Sequence, residues 1–346
     1  MKGTRISNKE ALKLLKSADL LEIGRTADGI RKKLHPENTV TFVVDRNINY
    51  TNVCINGCKF CAFWRPAGSP ESYVIEKSEL FSKIEETIAL GGTQILIQGG
   101  LNPELPMKFY TRMLAAIKIN FPSIRIHGFS PPEIEYIARR NDITVREAVG
   151  VLKSAGLDSV PGGGAEILSD RVRKRISPEK IGAKQWLNVM REAHRAGMRT
   201  TATMMFGASE SFEDIIAHLE AVRNLQDETG GFTAFIPWSF QPGNTKMGEV
   251  APATGVDYLR VLAVCRIYLD NIKNIQASWV TQGLKMAQVA LRFGANDFGS
   301  TMIEENVVAS AGVKYRVSKD DIIHGIKAAG FRPAQRDTLY TVLKYF

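Results

Sequence analysis

Several things are scarce in this chain, and each scarcity removes a class of protein. The 346 residues include only 4 Cys, too few for the dense disulfide framework of a small secreted scaffold. No stretch approaches the roughly 18 consecutive apolar residues of a membrane-crossing helix. The segment from Met1 to Leu21 is a lysine-studded amphipathic stretch, not a charged region followed by an apolar one, so no secretory leader is expected. A cytoplasmic protein without a membrane partner is the expectation. Low-complexity segments and linkers are absent, and so is an early Gly-x-Gly-x-x-Gly turn of the dinucleotide-binding kind. With 44% hydrophobic and 23% charged residues, 29 Gly and 14 Pro, the composition is that of an ordinary globular protein with a large core. Forty-five Lys+Arg against 36 Asp+Glu leave a net charge of +9. The basic residues are spread along the chain, and the one dense run, Arg171 to Arg175, has no interleaved aromatics, so no nucleic-acid partner is expected. An anionic small substrate or an acidic electron-transfer partner fits the charge as well.

Short β-branched or apolar runs alternate with helical patterns. The strand-like runs are 48–53, 95–98, 124–129, 157–160, 200–205, 233–239, 275–280 and 295–298. Between them lie amphipathic stretches such as 78–90, with Leu80, Ile84 and Ile88 on one face, 107–119, and 211–227 with Ile215, Leu219 and Val222. Gly91, Gly156, Gly197 and Gly294 stand where such helices end and the chain turns back. Eight strand–helix units over roughly 250 residues predict an α/β protein of the (β/α)8 TIM-barrel type. Short helical extensions are expected at both ends: a lead-in over 1–47, the barrel over 48–300, and C-terminal helices over 301–346. Ser7 with Glu10 reads as a capping box for the first helix.

Barrel active sites are built on the loops that follow the strands, and the unusual residues fall there. Cys54, Cys58 and Cys61 sit within eight residues after the first strand, while Cys265 stands alone in a helical run and reads as an inert buried thiol. Three thiolates so close on one loop can ligate three corners of an iron–sulfur cubane and leave one iron open. A structural zinc site is the alternative, but neither Cys265 nor any of the five His supplies a second pair at zinc spacing. An iron–sulfur electron carrier or sensor is disfavoured because no second cysteine group exists and the loops read as pocket-lining.

The Cys-x3-Cys-x-aromatic-Cys pattern, with Phe60 as the aromatic, resembles the signature of the radical S-adenosylmethionine (SAM) superfamily. The resemblance implies that Cys54, Cys58 and Cys61 hold a 4Fe-4S cluster and that its open iron chelates SAM. One electron then cleaves SAM to methionine and a 5′-deoxyadenosyl radical. It also implies a flavodoxin- or ferredoxin-type reductant. Gln98, Gly99 and Gly100 resemble the turn that meets the methionine moiety, Glu166 a polar contact to ribose or methionine, and Gly207 with Glu210 the segment near adenosine. Gly99-Gly100 can equally be a tight turn, and the two Glu can be helix-start carboxylates.

From about Asn49 to Asp337 the wording resembles the menaquinone and deazaflavin group of that superfamily. Asn49-Tyr50-Thr51-Asn52, Pro161 to Leu168 and the run from Trp238 to Thr245 are closest to the cyclases of the futalosine route to menaquinone. The small-molecule substrate so implied is dehypoxanthine futalosine, whose ribose C4′ hydrogen is abstracted before the carbon radical closes on the benzoate ring. Aminofutalosine synthase and a deazaflavin synthase subunit share the cysteine loop and remain alternatives. Candidate substrate contacts are Trp238, Phe240 and Trp279 as walls for the aromatic ring, Gln241, Asn244 and Thr245 for ribose hydroxyls, and Arg65 for the carboxylate. Glu166 and Asp297 are the candidate catalytic carboxylates.

Overall fold

The computed structural model describes residues 5–346, so the first four residues of the expected lead-in lie outside them. Helix α1 (Asn8–Lys16) starts at a reciprocal capping box: the Glu10 N–H donates to Ser7 Oγ at 3.3 Å and the Ser7 N–H donates to Glu10 Oε2 at 2.7 Å. Helix α2 (Leu20–Leu34) follows. Strands β1 (Thr39–Val43) and β2 (Asp45–Asn49) form one extended run broken only at Val44. This moves the first strand back from the expected 48–53. The β-branched residues of Thr39 to Val44 carry the strand, whereas residues 51 and 53 make only isolated bridges, to Val74 and Arg65.

The chain then alternates through α3 (Lys77–Ala89), β3 (Gln94–Gln98), α4 (Met107–Asn120), β4 (Arg125–Gly128), α5 (Pro131–Arg140), α6 (Val145–Ala155) and β5 (Ser159–Val160). It continues with α7 (Asp170–Ile176), α8 (Ala183–Arg195), β6 (Arg199–Phe206), α9 (Phe212–Thr229), β7 (Phe232–Ser239), α10 (Gly255–Tyr268), β8 (Asn274–Ile275), α11 (Trp279–Ala290) and β9 (Asp297–Ser300). Strands β2 to β8 form a parallel sheet in chain order. A bridge between Gln276 and Asp297 and the Ala277 N–H to Asp297 carbonyl bond of 2.9 Å join β8 to β9, and β9 pairs in parallel with β1. Because β1 runs into β2, the ring closes on eight parallel strands, the barrel the sequence predicts. Gly156 ends α6 at φ 119°, a left-handed cap that a side chain would strain.

The tail departs from expectation. Residues 301–346 hold one α-helix, α12 (Lys319–Ala328), and then two strands, β10 (Arg332–Arg336) parallel to β1 and β11 (Val342–Tyr345) antiparallel to β10. The text Arg-Pro-Ala-Gln-Arg has no strand signature of its own. It is fixed by distant partners: Gln335 Nε2 donates to the Gly91 carbonyl at 2.9 Å and Thr338 Oγ1 to Gln94 Oε1 at 2.6 Å.

Period-2 alternation decides what faces the lumen. On β3, Ile95 and Ile97 are fully buried outside the ring, while Gln94, Leu96 and Gln98 line a central cavity. Asp45 and Asn47 on β2 and Thr201 and Thr203 on β6 face the same space. A barrel interior is ordinarily packed with branched apolar residues. This one keeps a cavity of about 290 Å³ whose walls are largely apolar, with a few polar side chains set among them.

Candidate active site

The cysteine loop is anchored at both ends by backbone. The Cys54 N–H donates to the Arg65 carbonyl at 3.0 Å, and the Lys59 N–H donates to the Ile176 carbonyl at 2.9 Å. Gly57 takes φ 51°, turning the chain between the first two thiols. Cys58 is buried and Cys54 and Cys61 are half-buried. Burial pushes the Cys58 thiol up to about 12, with Lys180 pulling the other way. Cys61 is raised by burial against opposing backbone N–H bonds from Trp64 and Phe63. Such N–H donors would compensate thiolate charge once a metal displaced the protons. Among the described residues no three Cys, His, Asp or Glu groups converge on a single metal ion. A cubane bonds each cysteine to its own iron, so its thiolates need not converge on one point. The donor set therefore fits a 4Fe-4S cluster held by Cys54, Cys58 and Cys61.

Next to the loop stands a cation that sequence reasoning missed. Lys180 Nζ lies 4.9 Å from the centre of the Phe60 ring and 2.5 Å from Glu166 Oε1, in a pair whose side chains are 11% and 5% exposed. Its ammonium is held up, against burial, by the nearby Cys58 and Glu166 charges. Glu166 lines the cavity at φ 44°, a backbone strain typical of functional turns. Gly99 and Gly100 are required by close approach. A Cβ on Gly99 would meet the Tyr50 ring at 2.6 Å, and one on Gly100 would meet the Val53 carbonyl oxygen at 2.1 Å. Behind them the buried Glu133, also unforeseen, accepts from the Gly99 N–H at 3.0 Å and from Tyr50 Oη at 2.7 Å. Gln98 lines the cavity directly below this turn.

The other candidates divide. Trp238 and Trp279 line the cavity, and Trp279 Nε1 is fixed on the Ser300 carbonyl at 2.8 Å. Phe240 does not: it is 1% exposed in the core. Gln241 donates to Ser239 Oγ at 3.0 Å, Asn244 Nδ2 to the Ser310 carbonyl at 2.9 Å, and Thr245 Oγ1 to the Pro242 carbonyl at 2.7 Å. Gln241 and Thr245 shape their own loop, Asn244 ties that loop to the segment carrying Ser310, and all three lie outside the cavity wall. Arg65 is likewise committed, clasping Glu71 and the carbonyls of Ala62 and Trp64, each of these two at 3.0 Å. Glu210 turns back on its own loop, accepting from the N–H groups of Gly207, Ala208 and Ser209. Asp297 is fully buried and accepts from Thr41, Gln276, Gly299 and, twice, Arg336. Those five bonds occupy the carboxylate, and it is not among the residues lining the cavity.

Polar groups that went unread also face the lumen: Asn47, His127 and Tyr340. Asn47 Oδ1 and Tyr340 Oη are buried without a partner among the described residues. Placing the first strand at Asp45 would have put Asn47 on the inward register. Tyr340 comes from the tail and carries no local signal.

Three cysteines thus stand on the loop after the first strand of a barrel that holds a central, largely apolar cavity. The model of the radical SAM superfamily matches residues 48–222, and that of the CofH/MqnC C-terminal region matches 229–345. The chain belongs to the radical SAM superfamily. It is similar to cyclic dehypoxanthine futalosine synthase of Halalkalibacterium halodurans, 48% identical over 99% of this chain and 93% of that one, and to its namesake in Streptomyces coelicolor, 43% identical over 98% and 86%. It is also 43% identical, over 95% of this chain and 90% of the relative, to 5-amino-6-(D-ribitylamino)uracil–L-tyrosine 4-hydroxyphenyl transferase of Methanopyrus kandleri. Among solved structures, methylornithine synthase superposes at a TM-score of 0.76 with 16% identity over 96% of this chain and 95% of that one, which shows the fold.

Proposed function

We propose that this chain is a radical SAM cyclase of menaquinone biosynthesis, converting dehypoxanthine futalosine to cyclic dehypoxanthinylfutalosinate. What carries the reading is 48% identity across 99% of the chain to a synthase of that product, on a barrel whose cysteine loop and central cavity suit the chemistry. When bound to Cys54, Cys58 and Cys61, a 4Fe-4S cluster with SAM on its open iron supplies the 5′-deoxyadenosyl radical.

The chain's own residues do the rest. Gly99 and Gly100 bring the turn close to the cysteine loop, and Lys180 with Glu166 offers a charge pair to the amino-acid end of SAM. Trp238 and Trp279 wall the benzoate ring. Gln98, Asn47 and Tyr340 supply hydrogen bonds to ribose and carboxylate oxygens, the unpartnered atoms of the last two gaining a partner on binding. Enclosure within the barrel holds C4′ near the adenosyl carbon and excludes other hydrogen donors. The electron comes from a flavodoxin- or ferredoxin-type protein. Exposed Ile55 and Lys59 on the cluster loop and the net charge of +9 suit an acidic partner.

The 43% identity to the hydroxyphenyl transferase sustains a second reading, and one assay separates the two. Anaerobic, reduced, reconstituted enzyme is offered SAM with dehypoxanthine futalosine, or SAM with tyrosine and 5-amino-6-(D-ribitylamino)uracil. The cyclase reading expects equimolar 5′-deoxyadenosine and a product two hydrogens lighter than the futalosine substrate. Product from the tyrosine mixture alone would replace it with the transferase reading.

A further inference from the structure

Four acidic or imidazole side chains line the cavity: Asp45, His127, Glu166 and Glu305. Three are committed. Glu166 is paired with Lys180. Glu305 accepts from the N–H groups of Val307, Val308 and Ala309, each at 2.9 Å. Asp45 accepts from Gln94 Nε2 at 2.5 Å and from the Ser300 hydroxyl. His127 differs: its Nδ1 is 2.6 Å from Ser159 Oγ, and no other hydrogen bond to the ring is formed among the described residues.

Its placement follows from strand register. Asn47, Leu96 and His127 are paired across β2, β3 and β4, at one level of the barrel. That level lies one inward position below Gln98 and the Gly99-Gly100 turn. A substrate held beneath the adenosyl group meets this layer. Burial and the charge of Arg336 hold the His127 imidazole down to about 3, so it is neutral at physiological pH and keeps a free lone pair. In the tautomer whose Nδ1–H donates to Ser159 Oγ, that lone pair is on Nε2.

We propose that His127 Nε2 accepts the proton the benzoate ring loses after cyclisation. The inference rests on the cyclase reading. Hydrogen transfer from C4′ to the adenosyl carbon leaves a C4′ radical. That radical adds to a ring carbon bearing hydrogen, forming the new carbon–carbon bond and leaving five π electrons in the ring. Breaking the C–H bond at the now tetrahedral carbon sends the proton to His127 and returns its electron pair to the ring. Six electrons restore aromaticity, and the seventh leaves to a one-electron acceptor, the oxidised 4Fe-4S cluster. The substrate has then lost two hydrogens in all. A ring losing that electron makes its C–H strongly acidic, so a weakly basic imidazole is a sufficient acceptor.

The test separates hydrogen abstraction from rearomatisation. In His127→Gln, SAM cleavage and deuterium transfer from C4′-deuterated substrate into 5′-deoxyadenosine persist. Product formed per 5′-deoxyadenosine falls by roughly tenfold or more, and freeze-quenched samples show an organic radical coupled to ring protons. A variant that keeps one product per 5′-deoxyadenosine overturns the proposal. Should that variant not fold, Ser159→Ala decides, since it loosens the tautomer without removing the base. It is expected to show a slowed product step and an isotope effect with ring-deuterated substrate that wild type lacks, and wild-type behaviour on both counts would overturn the proposal. A wild-type enzyme that does not cyclise the substrate removes the cyclase reading and this inference with it.

Discussion

At the lower end of the lumen Asp297 accepts five hydrogen bonds, two of them from the buried Arg336, and the strand that carries Arg336 is tied to β1. At the upper end Glu166 has one charged partner, His127 has one bond, and Asn47 Oδ1 has none. Asp297 and Arg336 form a saturated pair that closes the barrel, whereas Asn47 and Tyr340, whose ring stacks on Arg336, keep polar atoms without partners among the described residues. Side-chain chemistry alone does not separate them, which is why Asp297 and Glu166 looked alike as candidate bases. Buried polar groups are costly when unmet, and among the cavity-lining side chains Asn47 Oδ1 and Tyr340 Oη are the buried atoms left without a partner among the described residues.

The largest expected effect is at the cysteines. Replacing Cys54, Cys58 or Cys61 with Ala removes iron–sulfur absorbance and abolishes SAM cleavage while the barrel still folds. Stoichiometric iron and sulfide in any of the three variants would place the cluster elsewhere. Next comes the contrast between the two ends. Asp297→Asn strands the Arg336 charge and is expected to lower unfolding free energy by about 3–5 kcal/mol, read from the denaturant midpoint. Glu166→Gln also leaves the buried Lys180 ammonium without its carboxylate and should lower the midpoint as well, but it weakens SAM binding, which Asp297→Asn spares. The reverse pattern would invert the comparison.

Acid should also weaken the fold. Burial holds His127 and His218 down to about 3, and His35 and His194 to about 4, below the ordinary 6.5. The unfolded chain takes up protons that the folded chain refuses, so their stabilisation is complete above pH 6.5 and is lost as pH falls towards 4. Urea midpoints that stay flat across that window would show these imidazoles to be solvated. The smallest effect is expected at Arg65, whose ion pair with Glu71 is partly exposed. Arg65→Ala should cost at most about 1 kcal/mol of stability and leave the Michaelis constant for the futalosine substrate within about twofold, since the side chain stands outside the cavity wall. A large rise in that constant would return Arg65 to the substrate site.

Much of this was legible in the residues. The alternation of strand runs, amphipathic helices and terminal glycines marks the barrel because its signals are local, and the cysteine loop is contiguous in sequence. Gly99 and Gly100 stand out in the sequence as a turn, while the contacts with Tyr50 and Val53 that require glycine there lie across the sheet. The run from Phe240 to Thr245 read as ligand-facing because polar and aromatic loop residues look the same whether they bind a ligand or hold their own loop together. Tyr340 carries no local signal, Lys180 pairs with Glu166 across 14 residues, and Glu133 shows only its capping box with Ser130 locally while its bonds to Gly99 and Tyr50 come from far away in sequence. His127 sits within a run assigned as strand, and only register shows that it points inward.

The most direct test of the central claim is mass spectrometry of 5′-deoxyadenosine from a single turnover with dehypoxanthine futalosine deuterated at ribose C4′. The account predicts one deuterium in the 5′-deoxyadenosine and a cyclised product lacking it. Unlabelled 5′-deoxyadenosine with deuterium retained in the substrate would contradict it.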